Sequence, residues 1–157
     1  MTVGQQLASL LNHEIACLEQ LLAILDREFE SLTSSDISAI EAATNDKNLA
    51  LARQGKSTLT RQQFVTSSSY EDSDKGLQQL ITTCDNHTEL ATIYAQLTSL
   101  ARQCHSTNRT NGRLILQKQE QTRSALNIIR QADNNPSTYS DQGGSITNPS
   151  TRSLGKA

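Results

Sequence analysis

The sequence has no tryptophan, two phenylalanines and three tyrosines, so aromatic residues make up only 3% of the chain. Apolar residues of all kinds reach 35%, too few for a thick globular core but enough for long helices that each bury one narrow seam. Lysine and arginine are scattered and slightly outnumbered by aspartate and glutamate, 14 to 16, for a net charge of −2. No basic stripe is available to follow a phosphate backbone, which speaks against nucleic acid as a partner. The opening "MTVGQQLASLLNHEIACL" has neither a basic segment nor an unbroken apolar run. No later stretch approaches a membrane span, so the expectation is a soluble chain without membrane insertion. Cys17, Cys84 and Cys104 form an odd set with no C-x-x-C. Each lies in a helical pattern where a reduced thiol packs as a small apolar group, which fits a reducing cytoplasm. "NHT" at Asn86 and "NRT" at Asn108 match the glycosylation sequon, without consequence in a chain that has no secretory signal.

At 157 residues the chain has the length of one domain, or of one domain with a tail. From Leu7 apolar residues recur at Leu7, Leu11, Ile15, Leu18, Leu22, Leu25, Phe29 and Leu32, at spacings of three and four. That spacing predicts a helix with one continuous seam. "TSSD", Thr33 to Asp36, interrupts it and offers side-chain oxygens to the orphan amides of a new helix. The second run, Ile37, Ile40, Ala43, Lys47, Leu51 and on to Leu59, keeps the period with smaller and more polar residues, and Gly55 weakens it late. "VTSSSYEDSD", Val65 to Asp74, predicts a loop ending in an N-cap at Ser73 or Asp74.

Beyond that loop, Leu77, Leu80, Cys84, Thr88, Ala91, Tyr94, Leu97, Ala101 and Cys104 form a seam that crosses "HSTNRTNG" and resumes at Ile115, Thr122, Leu126 and Ile129. One very long helix or two satisfy this pattern. Gly112 and the Asn and Thr residues before it each cost ~0.5 to 1 kcal/mol relative to Ala in a helix, which places any kink between Cys104 and Asn111. Pro136 biases its predecessor out of helical geometry, so the helical body ends near Ala132. No alternating strand pattern is present. The expected fold is all-α: an elongated antiparallel bundle of three or four long helices over residues 1–132, followed by a disordered tail over 133–157.

Catalytic chemistry is hard to place. Cys84 and His87 are three apart and would share a helix face, but no second pair completes a metal site, and a packed thiol beside a surface imidazole accounts for both. Cys104 and His105 point about 100° apart on a helix. His13 and Glu14 read as a solvated helix face. There is no Gly-rich phosphate loop, no H-E-x-x-H and no G-x-S-x-G. The expectation is a protein that is not an enzyme, with no catalytic residue, metal or cofactor.

The informative feature is surplus apolar surface on the last helix. Ile115, Thr122, Leu126 and Ile129 form one stripe; Leu114, Ala125 and Ile128 form a second about 90° around the axis, and Leu116 points away from both. Two stripes suit a helix lying between two neighbours. They equally suit a surface left open for a partner's amphipathic helix.

A Leu-rich first helix, a second helix carrying Lys47, then "NRTNGRLI" at Asn108 to Ile115, "ALNIIRQ" from Ala125 and a polar tail opening "STYSDQGG" follow one another in this order. In that order and spacing the chain resembles the bacterial flagellar export chaperones of the FlgN family, whose usual "tYgpdG" run appears here as "TYSDQGG", without the proline and with the acid displaced by one place. The resemblance implies a cytoplasmic chaperone that binds hook-associated proteins of the hook–filament junction, keeps them from assembling early and delivers them to the flagellar type III export gate. It places the client surface on Leu114, Ile115, Leu116, Leu126, Ile128 and Ile129, with Ala125 among them. It further implies that Tyr139, just past the helical body, docks on the cytoplasmic domain of the export gate. A structural coiled-coil or tethering protein that self-associates through the same seams is the alternative.

Overall fold

The computed structural model describes residues 1–134, which form four helices and no strand: α1 Val3–Ser34, α2 Ile37–Ser67, α3 Asp74–Thr83 and α4 His87–Asp133. The chain divides into two units, 1–117 and 118–157. The fold is all-α, and the segment expected to be disordered lies, from residue 135 onward, outside the described residues.

Local chemistry sets the helix starts. Thr2 and Gln5 form a reciprocal capping box at α1, the Asp36 carboxylate accepts from the Ala39 amide at α2, and Ser73 accepts from the Gly76 amide at α3. Ser35, in left-handed geometry at φ 57, ends α1 and lets the chain reverse within two residues. The loop predicted from Val65 to Asp74 is shorter than the sequence implies. Helix α2 runs on to Ser67, and Val65 is buried in the core.

The seam on α1 differs by one position in several places from the apolar one. Its inward residues are Leu7, Leu11, Glu14, Leu18, Leu21, Leu25, Glu28 and Leu32, all buried, in a strict heptad alternation of four and three. Two carboxylates therefore occupy core positions, whereas Phe29, an expected seam residue, is 40% exposed. On α2 the facing residues are small: Ala43, Ala50 and Ser57, seven apart and buried, let the two helices lie close together. Between them Lys47, Gln54 and Arg61 reach across to the carboxylates. Lys47 pairs with Glu28 and Arg61 with Glu14, so α2 runs antiparallel to α1.

Helix α4 packs on α1 in the same direction. Cys104 Sγ donates to the Leu18 carbonyl and Asn111 Nδ2 to the Leu25 carbonyl, each across the same 86-residue separation. The buried positions of α4, Leu90, Leu97, Cys104 and Asn111, are again seven apart. The core unites Leu7, Leu11, Leu18, Leu25, Leu77, Leu80, Leu90 and Leu97, each such burial contributing roughly 1.5 to 3 kcal/mol.

Two features of the third segment depart from the sequence reading. The helical seam is broken at Cys84 to Asn86, where Cys84 is extended at φ −82, ψ 145 and caps α3. No break occurs between Cys104 and Asn111; α4 is a single helix of 47 residues. Gly4 explains why the α3–α4 turn can sit against the start of α1, since a Cβ there would collide with the Asn86 side chain.

Helix α1 is long and apolar enough to cross a membrane by length and composition, contrary to the expectation that no stretch approaches a span. Its apolar side chains are the core of the bundle, and its two buried carboxylates are ion-paired. Packing accounts for its apolarity.

Candidate docking surface on the last helix

The first unit holds α4 by one polar and several apolar anchors. Asn111 is fully buried; its Nδ2 lies 2.9 Å from the Leu25 carbonyl and 3.0 Å from Glu28 Oε1. Glu28 is itself fully buried, and Lys47 Nζ approaches its Oε2 to 2.8 Å. One carboxylate thus receives a cation from α2 and an amide from α4, tying three helices at one level. A second buried carboxylate, Glu14, accepts from Arg61 Nε at 2.6 Å, Thr58 Oγ1 at 2.6 Å and Gln54 Nε2 at 3.3 Å. Hydropathy alone misses all of this, because it reads Glu14 and Glu28 as solvated; the signal that finds them is the heptad, which places both at seam positions.

Past Asn111 the environment changes. Leu114 and Ile115 are half-buried, and Leu116 is exposed. In the second unit every residue from 119 to 134 is exposed, including Ala125, Leu126 at 49%, Ile128 at 67% and Ile129 at 57%. The heptad position occupied by Leu90, Leu97, Cys104 and Asn111 recurs along the same helix at Lys118 and Ala125. The residues suggested for client binding therefore fall into two groups: Leu114, Ile115 and Leu116 in the first unit, and Ala125, Leu126, Ile128 and Ile129 in the second. Tyr139 lies outside the described residues.

The chemistry considered for the cysteines does not assemble. Cys84 ends α3 and His87 begins α4, so they share no helix face. Cys84 Sγ donates to the Leu80 carbonyl. No group of three His, Cys, Asp or Glu side chains suited to a metal occurs among the described residues. Burial pushes the Cys84 and Cys104 thiols upward, each aided by a carboxylate, Asp85 and Asp26 respectively. They remain neutral packing groups rather than nucleophiles.

This arrangement has a counterpart. Residues 1–145 match the family model described as FlgN protein. The chain belongs to the FlgN family. A crystal structure of a Pseudomonas aeruginosa protein assigned to flagella synthesis as FlgN, solved at 1.48 Å, superposes with a TM-score of 0.64 at 24% identity; it covers 78% of this chain and 94% of that one. That likeness concerns the fold. No curated protein matches the chain. Within this FlgN-family chain the stretch "NRTNGRLI" has a structural reason: Asn111 supplies the buried amide that reads Glu28 and the Leu25 carbonyl.

Proposed function

We propose that this FlgN-family protein acts in flagellar assembly as a cytoplasmic type III export chaperone. Its clients would be hook-associated proteins of the hook–filament junction, which it keeps from assembling early and hands to the cytoplasmic domain of the export gate. The observation that carries the reading is the set of exposed apolar side chains Leu126, Ile128 and Ile129 on a helix whose heptad is buried earlier along its length. Family membership supports the flagellar context.

The mechanism is capture without covalent chemistry. A client segment that is unstructured before assembly presents an amphipathic face, lays it on the stripe of α4 and becomes helical as it binds. Ordering that segment costs much of what burial supplies, so two or three Leu or Ile anchors, each contributing roughly 1.5 to 3 kcal/mol, yield binding near micromolar. Such a complex releases readily, as delivery requires. Tyr139 would serve the gate: a ring gives contact area and a hydroxyl at low entropic cost.

Gel filtration of the full chain with a purified hook-associated protein tests the first half, with co-elution expected. Tyr139→Ala tests the second, with client binding retained and gate binding weakened at least severalfold; unchanged gate affinity removes Tyr139 from the account. The same exposed stripe would also serve permanent self-association in a coiled-coil tether. Light scattering separates the two, a monomer at all concentrations supporting the chaperone.

A further inference from the structure

The groove between α1 and α2 holds the one thiol that the core does not use. Cys84 and Cys104 belong to the core cluster and donate to the Leu80 and Leu18 carbonyls; Cys17 does neither. Its Sγ lies 3.9 Å from Nε2 of His13, one turn earlier on α1. At that distance the thiol donates to the ring when the imidazole carries its proton on Nδ1. Both side chains line a cavity of about 460 Å³.

The opposite wall is α2. Arg53, Lys56, Ser57 and Thr60 fall within two turns of one helix face and line the same cavity. Unlike Lys47 and Arg61 on the same helix, Arg53 and Lys56 have no ion-pair partner among the described residues. No carboxylate among the described residues lines the cavity, and Glu14, next to His13 in sequence, is turned into the core and bound to Arg61. Thr60 satisfies its hydroxyl on the Lys56 carbonyl. Ser57, only 6% exposed, has no hydrogen-bond partner for its own. A solvated helix face accounts for two exposed cations, but not for an enclosed hydroxyl left without an acceptor.

We propose that Cys17 is a thiol–disulfide exchange site for a small disulfide that carries carboxylates. This goes beyond the export role and does not depend on it. The Sγ proton passes to His13 Nε2, and the thiolate attacks one sulfur of the bound disulfide. An S–S bond forms to Cys17 as the incoming S–S bond breaks; the departing sulfur leaves as a thiolate and takes the proton from the His13 imidazolium. Cys17 is oxidised and the released thiol is the reduced product, so the incoming disulfide is the only oxidant the step needs. Arg53 and Lys56 hold the carboxylates, and the Ser57 hydroxyl donates to one of them. Attack by free thiol on the mixed disulfide reverses the step. A divalent metal fits less well, because it would have two ligands one turn apart and two cations facing it.

The test treats the full native chain with glutathione disulfide, which is anionic, and with bis(2-hydroxyethyl) disulfide, which is neutral, and locates the adducts by mass spectrometry. Cys17 is expected to be modified in the folded protein, with Cys84 and Cys104 modified only after unfolding. Arg53→Gln/Lys56→Gln is expected to slow the anionic disulfide by roughly two- to thirtyfold, the yield of two exposed ion pairs, and to leave the neutral one unchanged. The difference shrinks as salt is added. His13→Gln is expected to slow both disulfides near neutral pH and to match wild type in alkali, where hydroxide removes the thiol proton. All three substitutions fall on exposed positions, so circular dichroism is expected to stay unchanged. Absence of a Cys17 adduct in the folded protein, or earlier modification at Cys84 or Cys104, would overturn the proposal. Equal slowing of the two disulfides in the Arg53→Gln/Lys56→Gln variant would overturn the anionic class. Zinc retained on dialysis by wild type but not by Cys17→Ser would overturn exchange in favour of a metal site.

Discussion

Asn111 on α4 and Glu28 on α1, 83 residues apart in the chain, share a 3.0 Å hydrogen bond with both side chains fully buried. The bond lies one residue before Gly112, in the stretch that the composition marks as a weak point of the helix. The intrinsic cost there is ~1 kcal/mol for the glycine, and a buried amide that satisfies a carboxylate is of comparable or larger value. The helix therefore continues. Asn111→Leu is expected to lose about 1 to 3 kcal/mol of stability, the cost of a buried acceptor left without its donor. Urea unfolding followed by circular dichroism measures it, and an unchanged midpoint would contradict the role given to Asn111.

Lys47 answers the same carboxylate from the other side. Lys47→Met leaves Glu28 charged, buried and short of its cation, and is expected to cost about 3 to 5 kcal/mol. The double variant Lys47→Met/Glu28→Leu removes both charges and is expected to recover most of that loss. Thermal unfolding of wild type, Lys47→Met, Glu28→Leu and the double variant closes the cycle; additive losses would show that the pair is not coupled.

Two glycines are expected to respond in opposite directions. A Cβ at Gly55 meets nothing within 4 Å, so Gly55→Ala in the middle of α2 is expected to stabilise by about 0.5 to 1 kcal/mol. At Gly76 a Cβ would strike the Glu71 carbonyl oxygen, and Gly76→Ala is expected to destabilise by more than Gly55→Ala gains. Paired melting curves decide both.

The Cys104 thiol is raised from its ordinary value of 9.0, first by burial and then by Asp26. Its folded pKa lies above the unfolded one, so its contribution to stability is complete below about pH 9 and is lost as pH rises through the folded value. Native protein is accordingly expected to alkylate at Cys104 much more slowly than unfolded protein at pH 8, and to lose stability in mild alkali. Mass spectrometry of iodoacetamide labelling checks the first; labelling at the unfolded rate would contradict the burial.

The sequence discloses the helix starts because capping is local: Asp36 and Ser73 lie where their oxygens can reach the next turn. The heptad is disclosed only in part. Counting apolar residues finds Ile15, which is buried in the core, but admits the exposed Phe29 and passes over Glu14 and Glu28, since a lone carboxylate scores as solvated until its partner, 47 residues away for Arg61 and 19 for Lys47, is known. The turn at Cys84 to Asn86 is hidden for a related reason, as Cys84 and Thr88 keep helical spacing across it. The exposed stripe of Leu126 and Ile129 is visible in the pattern, but whether a neighbour covers it depends on where the other helices run.

Isothermal titration of a purified hook-associated protein into wild type and into Leu126→Asp/Ile129→Asp tests the central proposal most directly. Both substitutions fall on exposed positions, so the melting temperature of the variant is expected to match wild type. The account predicts binding near micromolar for wild type, as two or three apolar anchors allow, and no measurable heat for the variant. A folded variant that binds within about twofold of wild type, a difference below ~0.5 kcal/mol, would contradict it.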